Sequence, residues 1–358
     1  MTVPQIPAVP GVITAEQVIQ TARSIAAIQE PDGGVPWPGG HVDVWNHVEC
    51  AMALSVAGLR EEARAAYAWA RATQRADGSW PMKLVKGEAV EANGESNHAG
   101  YLAVGVWHEL LLTGDDEFAA LMWPHVRRAL DFVVDLQTTR GEIVWERSAA
   151  GVPSAYALLT GCSSIYQGLR CGVMLADHLG EPQPDWEVAA DRLGHVLVAH
   201  PEAFADKSRF SMDWYYPILG GALRGPDAEK RLAGEWDTFV VPGLGCRCVS
   251  DQPWVTGAET CELVLALDAL GDRERALRLF TWMQHLRHED GGYWTGWQYA
   301  NRKHYPHERS GYTAAAVILA ADALSDATPA ASLFRTAGAR SHLLEPSEAC
   351  GCSPVRVS

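Results

Sequence analysis

Leu111-Leu112-Thr113-Gly114-Asp115 closes an apolar stretch that begins near Gly100. A glycine just past a helix end adopts the left-handed conformation without a Cβ clash, so this segment reads as a helix stop. The stop recurs as Ser55-Val56-Ala57-Gly58, Asp177-His178-Leu179-Gly180-Glu181, Ala222-Leu223-Arg224-Gly225 and Asp268-Ala269-Leu270-Gly271-Asp272. A sixth copy, Asp322-Ala323-Leu324-Ser325-Asp326, carries Ser where Gly would stand. The copies fall about 50 residues apart, room for two helices and their loops.

The helices ending at these stops, such as Gly100 to Leu112, Gly168 to Leu179, Cys261 to Leu270 and Ala314 to Leu324, are apolar on most sides and therefore buried. Those that follow, such as Arg60 to Gln74, Glu117 to Gln137 and Arg273 to Gln284, concentrate charge on one face. The alternation predicts an all-α (α/α)6 toroid: six helical hairpins closed into a ring, inner helices wrapped by outer ones. No composition break divides the chain, so one domain is expected over 12–327. From Thr328 to Ser358 the sequence turns Ala-, Ser-, Pro- and Gly-rich, which predicts a loose tail.

With 47% apolar and 20% charged residues in 358, a sizeable core can form. The net charge of −15 repels phosphate backbones and excludes nucleic acid as a natural partner. The Pro-rich start, Met1 to Pro10, has no secretory pattern, and no run of apolar residues is long enough for a membrane span, so a cytoplasmic location is expected. Cys50, Cys162, Cys171 and Cys261 lie in apolar helical patterns and read as buried thiols. Cys246-x-Cys248 and Cys350-x-Cys352 lack the usual zinc spacing, so no metal and no cofactor are expected.

A second repeat lies at the ends of the outer helices. Gln29 runs through Asp32-Gly33-Gly34 to Trp37, Gln74 through Asp77-Gly78 to Trp80, Gln137 through Gly141 to Trp145, and Gln284 through Asp290-Gly291 to Trp294. Gln ends the helix, Gly turns the chain and Trp packs back. The pattern resembles the QW repeats of squalene and terpene cyclases and of prenyltransferase β-subunits, and the chain looks like actinobacterial proteins labelled prenyltransferase. The resemblance implies the helical toroid and chemistry on isoprenoids. The chain departs from those families in lacking an Asp-x-Asp-Asp acid motif. Asp115-Asp116 is followed by Glu117 with no matching Asp, and Gly311-Tyr312-Thr313 has no His where a zinc ligand would stand. A second resemblance covers Glu117 to Arg147, with Trp123-Pro124 and Trp145-Glu146. This stretch is similar to six-hairpin glycosidases of the glucoamylase type, which implies Glu146 as general acid and Glu308 as base.

In such a ring the inner-helix N-termini converge on one mouth. The segments arriving there are Asp43-Val44-Trp45-Asn46-His47, Glu95-Ser96-Asn97-His98, Ser163-Ser164-Ile165-Tyr166, Ser211-Met212-Asp213-Trp214-Tyr215-Tyr216, Trp254-Val255-Thr256-Gly257-Ala258-Glu259 and His307-Glu308-Arg309, with Tyr312 beyond. Asp43, Ser96, Ser163, Ser211 and Thr256 suit N-caps, and acids suit first turns. Six converging polar and aromatic segments also describe a binding pocket.

Three functional readings follow. In the first, an isoprenoid-acting cyclase or prenyltransferase uses Asp213 as acid, and Trp45, Trp214, Tyr215, Tyr216 and Trp254 stabilise a cation. In the second, a carbohydrate-active hydrolase or epimerase uses Glu146 or Glu95 as acid and Glu308 or Glu259 as base. His47 and His98 serve as proton carriers or wall residues. Asp43, Asn46, Asn97, Tyr166 and Tyr312 line the substrate site. In the third, the toroid binds a small molecule without catalysis. A small-molecule partner, isoprenoid or carbohydrate, is common to the first two.

Overall fold

The computed structural model describes residues 5–336. Helices alternate along the chain: α1 (Ala15–Ala26), α2 (Val44–Val56), α3 (Arg60–Thr73), α4 (Ser96–Thr113), α5 (Asp116–Asp135), α6 (Leu159–His178), α7 (Pro184–Ala199), α8 (Ser211–Leu219), α9 (Gly225–Phe239), α10 (Gly257–Ala269), α11 (Arg273–Trp282) and α12 (Gly311–Ser325). The even-numbered helices pack side by side in sequence, and α12 returns to α2, which closes the inner ring. Each odd-numbered helix covers an inner one: α3 on α2, α5 on α4, α7 on α6, α9 on α8, α11 on α10 and α1 on α12. The (α/α)6 toroid is thus present. No helix among the described residues is long and apolar enough to cross a membrane.

The glutamine repeat ties four of the outer helices together. Gln74 Nε2 donates to the Gly78 carbonyl of its own turn at 3.1 Å and to the His125 carbonyl of α5 at 2.9 Å. Gln29 does the same with Gly33 and Glu62 on α3, and Gln137 with Gly141 and Ala189 on α7. One amide therefore fixes a turn and ties it to the next outer helix. The turn must lie flat on that helix. Gly78 has φ +90, and a Cβ there would stand 2.0 Å from the Arg128 carbonyl oxygen. The last copy departs from the pattern, because Gln284 Nε2 returns to its own helix at Phe280 and its Oε1 accepts the Tyr293 hydroxyl. Its turn nonetheless lands on the first helix: a Cβ on Gly291 would come within 2.7 Å of the Gln20 backbone, and Gln20 Nε2 donates to the Glu289 carbonyl at 2.9 Å.

The helix stops are left-handed at Gly58, Gly114, Gly180 and Gly271. In the sixth copy Asp326, not Ser325, takes that conformation. The fourth differs more: α8 ends at Leu219, and Gly225 opens α9 instead of closing α8. Pro217 inside α8 removes a backbone donor, and the helix is correspondingly short.

Eight short strands, not anticipated from the sequence, cluster where the inner helices begin. β1 (Pro81–Val85), β2 (Glu88–Glu95) and β3 (Glu146–Arg147) form one antiparallel sheet. β4 (Val240–Val241), β5 (Gly245–Arg247), β6 (Trp254–Thr256), β7 (Gly296–Gln298) and β8 (Lys303–His304) form the other. β2 runs directly into α4 and β6 into α10, so both sheets frame one mouth of the ring.

Beyond α12, the segment expected to be loose packs on the ring as far as it is described. Asp322 accepts the Thr328 amide at 3.0 Å and its hydroxyl at 2.6 Å, and Arg335 pairs with the buried Asp268 at 2.7 Å. The remainder of that segment, with Cys350 and Cys352, lies outside the described residues.

The turn geometry gives a direct stability test by urea denaturation. Gly78→Ala is expected to destabilise by more than about 2 kcal/mol, since both φ and the Arg128 carbonyl oppose a Cβ. Gly234→Ala, exposed within α9 and with open space around it, is expected to be neutral or to stabilise by up to about 1 kcal/mol.

Candidate active site

Asp43 caps α2, accepting the Asn46 amide at 2.9 Å. The same carboxylate accepts the Asn46 side-chain amide at 2.9 and 2.8 Å and the Trp37 indole N–H at 2.6 Å. A backbone amide, a side-chain amide and an indole thus hold it in one orientation, and in these contacts its oxygens only accept. Trp37 is itself stacked on His41, with ring centroids 6.0 Å apart. Burial lowers the pKa of the His41 imidazole, against an opposing pull from Asp43.

The next wall comes from β2 and β3. Glu95 and Glu146 are directly opposed across the two strands. Opposed residues share a face with Cβ atoms about 5 Å apart, so the two carboxyl groups are neighbours. His98, one turn into α4, lies 3.4 Å from Glu95 Oε2 and 3.9 Å from Asp43 Oδ1, which joins the α2 and α4 walls. Asn93 donates to Glu146 at 3.1 Å. Partial burial, then the charges of Glu146 and Glu95, raise the pKa of the Tyr156 hydroxyl above its usual range.

The floor is aromatic. The Trp45 ring meets Tyr101 edge-on at 5.6 Å, and lies 6.3 Å from Tyr216, 6.1 Å from Tyr312 and 6.5 Å from His98. Beneath it, Glu262 is fully buried and accepts hydroxyls from Tyr216 at 2.7 Å, Tyr312 at 2.5 Å and Tyr215. Burial and the charge of Glu259 push the Glu262 carboxyl up, while the tyrosine hydroxyls pull it down. Glu49, facing it from α2, is pushed up by burial and by Glu262. Glu259 sits one turn above Glu262, in the first turn of α10 and beside Cys248.

Several buried polar atoms at this mouth are left without a partner. Trp45 Nε1, Asn46 Oδ1, Asn97 Oδ1 and His98 Nδ1 are buried and find no hydrogen-bond partner in the described protein. Leaving such groups unsatisfied costs on the order of 1–3 kcal/mol each. Donors and acceptors are both represented, which suits a ligand whose hydroxyls can donate and accept. A hydrocarbon would leave all of them unpaired.

The structure thus brings together Asp43, Trp45, Asn46, Glu95, Asn97, His98, Glu146, Tyr216, Glu259 and Tyr312. Other residues singled out from the sequence lie elsewhere. Asp213 accepts the Thr160 hydroxyl at 2.6 Å and borders a separate cavity of about 640 Å³ with Trp214 and Arg231, beside α9. Burial raises its pKa, offset by Thr160. Trp214 donates to the Arg231 carbonyl and stacks on Phe239, away from Trp45. His47 is a wall residue: its Nδ1 accepts the Val35 amide, Nε2 contacts the Ala66 carbonyl at 2.8 Å, and burial lowers its pKa to about 4. Tyr166 is buried within α6 beside Gly194 of α7. Trp254 donates to the Tyr305 carbonyl at the rim, where Glu308 also stands. Of the expected caps, only Asp43 makes a capping bond: Ser96 and Ser211 are first helical residues, Ser163 lies inside α6 and donates to the Leu159 carbonyl, and Thr256 makes no capping bond. Among the described residues no cluster of His, Cys, Asp or Glu is disposed to hold a metal ion.

Trp37, Glu49, Tyr101 and Glu262 were missed as site residues. The signal for the two glutamates was available: each is a carboxylate flanked by apolar residues, one turn beyond a mouth residue, and Glu49 is the lone carboxylate of α2.

This architecture recurs in solved structures. A wild-type glycosidase matches at TM-score 0.65 and 12% identity, covering 88% of this chain and 98% of that one. A D-mannose isomerase matches at 0.63 and 13%, covering 86% and 96%. An α-amylase from Clostridium perfringens matches at 0.62 and 10%, covering 88% and 99%. At such identities the likeness defines the class by fold alone, a six-hairpin (α/α)6 toroid. Sequence takes the assignment further. The MMP endo-(1,4)-3-O-methyl-α-D-mannosidase of Mycolicibacterium hassiacum is 60% identical over 331 residues, 92% of each chain. This chain belongs to that enzyme's family. No protein-family model matches the chain.

The isoprenoid reading, with its terpene cyclase and prenyltransferase resemblance, is thereby overturned, and the six-hairpin glycosidase resemblance fits. The physical reason is plain in the structure: the Gln–Gly–Trp repeat clamps outer helices together, a task independent of what the mouth binds.

The buried Glu262 provides a pH test. A carboxyl whose pKa is raised by folding binds its proton more tightly in the folded state. It therefore stabilises the fold at low pH, and that contribution is lost as pH rises above the ordinary carboxylate range. Glu262→Gln keeps an acceptor for the tyrosines and removes the ionisation. It is expected to raise Tm relative to wild type more at pH 8 than at pH 5, as read by differential scanning calorimetry.

Proposed function

We propose that this protein is an endo-acting glycoside hydrolase that cleaves α-(1→4) bonds within chains of 3-O-methyl-mannose. The observation that carries this reading is the 60% identity, over 92% of both chains, with the mannosidase of M. hassiacum. The mouth supports it: carboxyl groups stand around an aromatic floor, with buried polar atoms left for hydroxyls. An O-methylated sugar presents both kinds of surface, hydroxyls for the walls and methyl groups for the rings.

Hydrolysis breaks the bond between the anomeric carbon and the glycosidic oxygen, and a water oxygen bonds to that carbon. The leaving oxygen takes a proton from one carboxyl, and the water proton goes to another. Asp43 takes the accepting role, because its neighbours donate to it and fix its direction. Glu259 takes the donating role, set on α10 among Cys248, Glu262 and the tyrosines. α10 and α2 flank α12 in the ring, so the two carboxyls reach the mouth from either side of Tyr312. Glu95, Asn97 and His98 bind hydroxyls, and Trp45 supports a sugar face. Glu146 and Glu308 hold the substrate nearer the rim.

The test is incubation with α-(1→4)-linked 3-O-methyl-mannose oligosaccharides, with products sized by mass spectrometry. Wild type is expected to give internal cleavage, and Asp43→Asn and Glu259→Gln each to lower kcat by at least about a hundredfold, Asp43→Asn with some loss of Tm because its amide nitrogen meets N–H donors of Trp37 or Asn46. Absence of shortened products from wild type overturns the activity. Full rates in either variant remove that residue from the chemistry.

A further inference from the structure

We propose that the cleft between α1 and the Trp294–Gly311 segment is a distal subsite, holding a further methylated mannose unit of the chain whose internal bond lies at the mouth. This inference rests on the activity proposed above, because an endo-acting hydrolase must grip its polymer on both sides of the scissile bond.

The cleft has a volume of about 680 Å³. That falls within the roughly 300–1,000 Å³ typical of small-molecule sites. Its lining mixes the two surfaces an O-methylated sugar presents. Ala27, Ile28, Pro38 and Trp294 are apolar, while Ser24 and Glu308 offer hydrogen-bonding groups. Ile28 is 39% exposed, an uncovered apolar side chain beside an aromatic ring. A methyl ether, which has lost a donor and gained a methyl group, is the sugar substituent best suited to cover it.

The walls are held rigid before any ligand arrives. Trp294 is stacked on His304, with centroids 4.4 Å apart and planes within 9°. Arg309 is held by Asp290 and by His288 at 2.8 Å. Gln20 is fixed from the opposite side through Glu289 and Arg287. A preformed wall spares the ordering cost that a flexible one would impose on binding.

Continuity with the mouth separates this cleft from the cavity beside Asp213. Trp37 donates to Asp43 and stacks on His41. The next residue, Pro38, lines the cleft. Glu308 lines it too, and its charge acts on His41. A sugar chain leaving Asp43 across the Trp37–His41 surface therefore reaches Pro38 and Glu308, and then the cleft. The cavity beside Asp213 shares none of these residues.

The experiment compares kcat/KM on α-(1→4)-3-O-methyl-mannose oligosaccharides of graded length, for wild type, Ala27→Trp and Ile28→Asp. Ala27, the exposed cap residue just past α1, lines the cleft, so a tryptophan there fills it with little disturbance to the core. Ile28→Asp instead sets a charge against the methyl groups, and serves if Ala27→Trp lowers Tm. The ratio of long-chain to short-chain kcat/KM is expected to fall about tenfold or more in both variants, mainly through KM. Variants that match wild type at every length, or that lose equally at every length, overturn the subsite. A wild type inactive on every length overturns the proposed activity and the subsite with it. An active wild type with length-blind variants removes the subsite alone.

Discussion

One repeated side-chain contact ties together four of the outer helices. In Gln29, Gln74 and Gln137 the amide nitrogen donates both to the glycine carbonyl of its own turn and to a carbonyl on the next outer helix. Such bonds add only about 1 kcal/mol apiece. Their larger effect is geometric. Each fixes where one hairpin ends relative to the next, and so the rotation per hairpin and the closure of the ring. The final turn meets α1 through Gly291 and Gln20 rather than through a repeat glutamine. The seam between last and first hairpins is thus made by different chemistry from the three glutamine joints.

Closure places the inner-helix N-termini at one mouth, and the loops entering them become its walls. The two small sheets stiffen those loops: β2 delivers Glu95 and β6 leads into the turn that carries Glu259. Below lie the rings of Tyr101, Tyr216 and Tyr312 gathered around Trp45, and Tyr216 and Tyr312 with Tyr215 bond to Glu262. Two acids buried there cost stability, and the three hydroxyls on Glu262 offset part of that cost. The mouth therefore has a polar wall and an aromatic base.

The ring was legible in the sequence because its marks are local. Glycines beyond helix ends and glutamines before turns recur through most of the hairpins, and their spacing needs no knowledge of distant contacts. The fourth stop misled because glycine, though favoured past a helix end, can also stand at a helix start, and Gly225 opens α9. The strands stayed hidden because most are two or three residues long and are set by pairing across loops distant in sequence. The convergence of Asp43, Glu95, Asn97 and His98 followed from the repeat. The exclusion of Asp213 did not, because the side of a helix that faces the axis depends on how far it is rotated. Trp214 and Tyr215, adjacent in sequence, face opposite surroundings for that reason. The chemistry was least legible of all. A scaffold repeat is silent about the ligand, and the residues that reject a hydrocarbon do so by being buried and unpaired, a property of the fold and not of any motif.

The return of α12 to α2 has a consequence for how the molecule comes apart. An open stack of hairpins has two terminal repeats, each with one neighbour, from which unfolding can fray inward. Here every hairpin has a neighbour on both sides. Releasing any one breaks two interfaces at once, and no starting point is cheaper merely for being last in line. Slow hydrogen exchange should therefore extend around all six inner helices alike, and the ring should open as a single cooperative unit.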